Sequence, residues 1–175
     1  MNENVAFEAF YPHPAERVWQ ALTDPKALAN WMLPTDFRPL IGFRFRFEGL
    51  TRGKKGQVTG EVLEVVEGAR LRYTWDDGEA GSPSVVTWTL QPQDGGTRVS
   101  LTHEAAIPAE PYILIEANLN WRYAMYASLP VVLALMRENA LRPPVPITYI
   151  TEAPSQEDNN RRAGFRQEEE TVCRR

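Results

Sequence analysis

The chain has 175 residues, 43% of them hydrophobic, and a formal net charge of −4. That is enough apolar material for one ordinary domain core with some chain to spare. The acidic balance provides no global basic field, so nucleic acid is excluded as an expected partner.

The N-terminal MNENVAFEAF lacks a basic segment followed by an apolar run, which argues against a signal peptide. Val5 to Tyr11 reads as a first strand. Pro14 to Trp31, PAERVWQALTDPKALANW, reads as a helix from about Ala15 to Thr23, a stop at Asp24-Pro25, and a second short helix ending on an exposed-looking Trp31. Pro14 suits the first turn of the first helix and Pro25 helps end it. Val18, Trp19 and Leu22 fall at helical spacing. His13, between two prolines, reads as loop.

The middle of the chain alternates with a period of two. Phe43, Phe45 and Phe47 share one face, with Arg44 and Arg46 on the other. Leu71, Tyr73 and Trp75 repeat the pattern, as do Val86, Trp88 and Leu90, and then Val99, Leu101 and His103. Gly78, Gly81, Pro83 and the Asp94-Gly95-Gly96 turn separate these runs. Gly53-Lys54-Lys55-Gly56 reads as a hairpin loop. One dry and one wet face indicate an antiparallel sheet covered on one side. Arg44, Arg46, Arg70, Arg72 and Arg98 fall on the wet face and read as a solvated stripe balanced by acids.

A long helix is expected from about Glu116 to Asn139, with Trp121, Met125, Leu129, Val132 and Met136 as its apolar stripe. Pro130 removes the amide that would bond the Tyr126 carbonyl. It predicts a kink there, or two helices broken at Leu129. The longest apolar run, Leu129 to Met136, is too short to span a bilayer, so no membrane insertion is expected. Residues 1–140 read as one domain. Residues 141–175 read as a polar tail, disordered or docked, with a strand-like Ile147 to Thr151 and one large apolar side chain at Phe165. The single cysteine, Cys173, cannot form an internal disulfide, which fits a cytoplasmic location, and it reads as an inert surface thiol.

PAERVWQALTDPKALANWM, then GEVLEVVEGARLRYTW, VVTWTLQPQDGGTRVSLTHE and NWRYAM resemble the bacterial proteins similar to the C-terminal domain of the activator of Hsp90 ATPase, within the START/Bet v 1-like (SRPBCC) superfamily. The resemblance covers about residues 4–140. It implies an α+β helix-grip fold: a curved antiparallel sheet of about six to seven strands wrapped around a long C-terminal helix, with two short helices after the first strand and a cavity between sheet and helix. Pro130 and the tail depart from the family pattern. The resemblance also places Trp31 near the cavity entrance; the residues alone equally allow a cap on the core.

The sheet's dry face and the helix stripe line one space. The candidate ligand-binding residues are Trp31, Phe45, Tyr73, Trp75, Trp88, His103, Trp121 and Met125. Aromatic walls with a few polar groups are how small-molecule sites are built. The same residues also suit a filled core, and for Phe45, Trp88 and Leu101 that is the stronger reading. His103 is the one histidine on an inward face. As a general base it needs a partner within reach: Tyr73, or a carboxylate. Glu104 points the other way, and Glu64 faces inward only if a bulge sets the register of Val58 to Val66. No zinc set, nucleophile elbow or phosphate loop is present, and no cofactor or catalytic residue is expected. The expected function is non-catalytic binding of a small hydrophobic or aromatic molecule. The alternatives are a protein-interaction module of the Hsp90-activator type, linked to chaperone or stress response, and a cyclase- or hydrolase-like enzyme using His103. The sequence does not set the oligomeric state.

Overall fold

The computed structural model describes residues 4–51, 54–78, 83–105 and 118–141. The chain divides into two units, Met1–Pro144 and Val145–Arg175, and the described residues belong to the first. The expectations for Gly53, Gly81, Ile147 to Thr151, Phe165 and Cys173 lie outside them.

Six strands form one antiparallel sheet: β1 (Asn4–Tyr11), β2 (Arg44–Thr51), β3 (Lys54–Val66), β4 (Arg70–Trp75), β5 (Ser84–Gln93) and β6 (Gly96–Glu104), in the order β1-β6-β5-β4-β3-β2. The period-two pattern sets which face is dry. Ser84, Val86, Trp88 and Leu90 are buried along β5, and Thr97, Val99 and Leu101 along β6. β5 and β6 meet through a two-residue turn at Asp94 and Gly95, with Gln93 opposite Gly96. Gly95 takes φ +80°, which a side chain would disfavour. The β2–β3 turn is tighter than the sequence suggests: Thr51 pairs with Lys54, so Lys54 and Lys55 are strand residues and not loop.

The wet face carries the expected arginines. Arg44 meets Glu61 at 3.1 Å, Arg46 meets Glu48 at 3.2 Å, Arg70 meets Glu64 at 3.5 Å and Arg98 meets Glu8 at 3.1 Å. Pairs this exposed contribute little stability. The register between β3 and β4 does shift between Val62 and Glu64. That bulge leaves Glu64 on Arg70 outside the sheet, so it does not supply an inward carboxylate.

Helices α1 (Ala15–Thr23) and α2 (Pro25–Trp31) follow β1. Asp24 caps α2 by accepting from the Lys26 amide at 2.9 Å, with Pro25 in the first turn. Trp31 is not exposed. It is 6% accessible, and its indole N–H donates to the Ala21 carbonyl at 2.9 Å, tying the end of α2 back onto α1.

The last helix runs through residues 118–137 without a break. It comprises α3 (118–123), a π-turn segment at Ala124–Ser128, and α4 (Leu129–Arg137). Trp121, Met125, Leu129 and Val132 are buried in the core, as the stripe predicts. Pro130 is accommodated by re-spacing the hydrogen bonds. The Leu129 N–H bonds the Ala124 carbonyl, five residues back. In that register the proline's missing N–H orphans the Met125 carbonyl, not that of Tyr126. The Tyr11 hydroxyl fills the gap, donating to the Met125 carbonyl at 2.7 Å across the core. Burial raises the Tyr11 pKa above the usual phenol range, so the proton stays on the donor.

Tyr11→Phe should therefore cost about 1–3 kcal/mol, the penalty for a buried unpaired carbonyl. Pro130→Ala in that background supplies a new helix N–H and should recover part of the loss. Urea unfolding of the two single variants and the double variant measures the coupling. Additive effects would mean that the hydroxyl is not compensating for the proline.

Candidate functional site

The ends of β4, β5 and β6 bring Trp75, Ser84 and His103 together, and α3 lays Trp121 over them. The register makes this possible. Trp75 pairs with Ser84 and Val86 with His103, so Ser84 and His103 are diagonal neighbours on one face.

Their hydrogen bonds assign every proton. The Trp121 indole can only donate, and it reaches His103 Nδ1 at 2.9 Å. Nδ1 is therefore the unprotonated nitrogen, and Nε2 carries the hydrogen. Nε2–H donates to Ser84 Oγ at 2.5 Å, and the Ser84 hydroxyl donates to the Trp75 carbonyl at 3.0 Å. The relay ends on backbone with no donor or acceptor wasted. Burial lowers the imidazole pKa from 6.5 to about 4, against a smaller opposing pull from Asp77. His103 is thus neutral at physiological pH, and both ring nitrogens are engaged. Its partners are an indole and a serine, not Tyr73 or a carboxylate.

Around this relay the rings form a cluster. The Trp75 centroid lies 5.3 Å from Trp121, 6.4 Å from His103 and 5.6 Å from Phe47. Trp75 and His103 are half-buried, whereas Trp121 is buried. Deeper in, Trp88 lies 5.8 Å from Trp121 and 6.0 Å from Trp31. Its indole N–H donates to the Tyr73 hydroxyl at 2.9 Å. Tyr73 packs on Phe45 at 5.4 Å and on Phe37 at 5.9 Å. Burial raises the Tyr73 pKa above the phenol range, so its O–H stays intact. Among the described residues no acceptor takes that proton. Met125, wholly buried, offers its carbonyl to Tyr11 and its side chain to the core.

A profile of the family described as "Activator of Hsp90 ATPase homolog 1-like protein" matches residues 12–134. The chain belongs to that family. The crystal structure of a Mesorhizobium loti protein is 30% identical, with a TM-score of 0.66 over 75% of this chain and 96% of its own. One from Chromobacterium violaceum is 28% identical, with a TM-score of 0.63 over 75% and 96%. A protein of the dynemicin biosynthetic locus, 21% identical, shares the fold with a TM-score of 0.65 over 81% of this chain and 49% of its own. Among proteins of curated function, none matches the sequence.

As in the helix-grip architecture expected of this family, one face of the sheet closes on the last helix. Of the eight candidate residues, Trp75, His103 and Trp121 form the half-open end, while Phe45, Tyr73, Trp88, Trp31 and Met125 are buried behind it. Two members of the cluster were not anticipated. Ser84 continues the Ser84-Val86-Trp88-Leu90 alternation and was legible there. Phe37 sits in the α2–β2 connection, where no periodicity marks it. Among the described residues no group of three His, Cys, Asp or Glu is placed to hold a metal, and no helix is long and apolar enough to cross a membrane.

Proposed function

We propose that this protein binds a small hydrophobic or aromatic molecule, without catalysing its conversion, at the end of the aromatic core between the sheet and the last helix. The observation that carries this reading is the Trp75–His103–Trp121 group. Three rings cluster there, and two of them are half-buried, where the rest of the aromatic core is closed. Trp75 supplies an apolar face for a flat guest. The non-catalytic role is supported by His103: its lone pair is held by the Trp121 indole and its proton by Ser84.

A thermal-shift screen of small hydrophobic compounds tests it. A ligand at a hundredfold excess over its dissociation constant adds about 2.7 kcal/mol. Trp75→Ala should keep the fold and lose that gain. A screen in which no compound shifts the melting point, or a shift that survives Trp75→Ala unchanged, contradicts the proposal.

A protein-interaction role of the Hsp90-activator type is favoured by one feature. The last helix leaves Leu119 at 58% and Tyr123 at 69% exposure, large apolar side chains with no core to fill. Unchanged chaperone ATPase rates on adding the protein would remove that reading.

A further inference from the structure

The two edges of the sheet are finished differently. Along β2, the connection from α2 closes the edge. The Glu48 N–H donates to the Pro34 carbonyl at 2.9 Å, the Arg46 N–H to Asp36 Oδ1 at 2.8 Å, and the Thr35 hydroxyl to the Arg46 carbonyl at 2.7 Å. An edge covered in this way does not template another strand.

β1 is the opposite edge. The β5–β6 turn fixes which of its groups are spent. Gln93 and Gly96 flank a two-residue turn, so they form a hydrogen-bonded pair, and the even-numbered β6 residues bond β5. The odd-numbered ones therefore bond β1: His103 with Val5, Leu101 with Phe7 and Val99 with Ala9. That leaves the backbone N–H and C=O groups of Ala6, Glu8 and Phe10 pointing off the sheet. Among the described residues a single one of them is met: the Tyr126 hydroxyl donates to the Glu8 carbonyl at 2.8 Å.

An apolar stripe runs beside this edge. The Tyr126 ring packs edge-on to Phe7 at 6.1 Å, and Tyr123 and Leu119 continue the same helix face at spacings of three and four. Leu119 is 58% exposed, Tyr123 69%, Tyr126 51%, and Phe10 on β1 itself 50%. At about 200 Å² per large side chain, these four present roughly 450 Å² to solvent. Joined with the strand backbone, two such surfaces reach the ~1,000 Å² at which specific protein interfaces begin.

We propose that β1 pairs antiparallel with the β1 of a second copy of this chain, making one continuous sheet with the two Leu119–Tyr126 stripes facing each other across the symmetry axis. A free sheet edge takes a strand as its partner, and an isologous pair satisfies both edges at once. Centring the pair on Phe7 sets Phe7 opposite Phe7 and Glu8 opposite Ala6 of the second copy, whereas centring it on Glu8 would oppose two carboxylates. Tyr126 is then a latch. Its bond to Glu8 closes the edge in the single chain and yields to the incoming strand. The surface is separate from the aromatic end, and it stands or falls independently of the ligand proposed there.

Sedimentation velocity of the full-length protein over a concentration series, with amide hydrogen exchange followed on the same samples, tests the proposal. A monomer–dimer equilibrium is expected. Exchange at the Ala6, Glu8 and Phe10 amides should slow as dimer forms, with the Val5, Phe7 and Ala9 amides protected throughout. Tyr126→Phe releases the latch in both copies and should tighten the dimer about five- to hundredfold, one ordinary hydrogen bond per copy. Tyr123→Glu, at an exposed position, should weaken it at least about tenfold by setting like charges against each other across the axis. A protein that stays monomeric at every concentration, as wild type and as Tyr126→Phe, would overturn the proposal. So would edge amides already protected in the monomer, which would show that the chain covers its own edge, or a dimer indifferent to Tyr123→Glu.

Discussion

Trp88→Ala is expected to lower stability by about 3–5 kcal/mol, the cost of emptying a large aromatic site in a packed core. Trp88 is 1% exposed and packs edge-on to both Trp31 and Trp121. Its removal leaves a void where three elements meet: β5, the end of α2 and α3. It also strips the buried Tyr73 hydroxyl of the donor it receives from the Trp88 indole. Trp88→Phe keeps most of the ring volume and loses the N–H, so it should cost less, about 1–3 kcal/mol. Trp75→Ala provides the contrast. Its side chain is half-buried at the open end, so its truncation should weigh less on stability and more on ligand binding. Urea unfolding of the three variants measures this order. If Trp88→Ala costs no more than Trp75→Ala, the division between closed core and half-open end is wrong.

Stability should fall as pH drops from 6.5 towards 4. Unfolded, His103 takes up a proton as pH passes its ordinary value of 6.5; folded, it resists until about 4. Between those values the unfolded chain binds more protons than the folded one, so acid favours unfolding. The stabilisation is complete above 6.5 and is lost going down through that window. At about 1.4 kcal/mol per pH unit, the gap comes to about 3 kcal/mol. The cause is burial of the imidazole, and the Trp121 indole N–H faces the nitrogen a second proton would need. His13, also lowered, contributes with the same sign. His103→Gln isolates the effect, because the amide can still accept from Trp121 and donate to Ser84 but does not titrate. Its stability should be flatter across pH 4–6.5 by about 3 kcal/mol. A variant with the wild-type slope would show that His103 is not held neutral.

What the sequence reveals of this protein follows from which interactions are local. The β5 alternation and the Asp94-Gly95 turn are set by neighbours two to four residues apart, and both are legible. So is the helix stripe from Trp121 to Val132. Trp31 looks exposed in the sequence because a seven-residue helix shows a face but not what that face meets; only the packing of α2 against α1 and β5 hides it. Pro130 announces a missing amide, yet the orphaned carbonyl depends on the hydrogen-bond spacing of the preceding turn. The π register moves it from Tyr126 to Met125, and its compensating donor, Tyr11, comes from the other end of the chain. The His103 relay has the same character. Histidine and serine both lie in phase with their strands, but they become neighbours only once Val86 is placed opposite His103. The architecture follows from the family resemblance; the proton positions depend on contacts between residues far apart in the chain.

The five tryptophans of the chain permit a direct test of ligand binding at the aromatic end. Titrating a naphthol into protein labelled at its indole nitrogens should move the Trp75 and Trp121 signals together, with one saturable affinity, while Trp19, Trp31 and Trp88 hold their positions. Five unmoved indoles, or shifts confined to Trp19 and Trp31, would contradict a guest site between the sheet and the last helix.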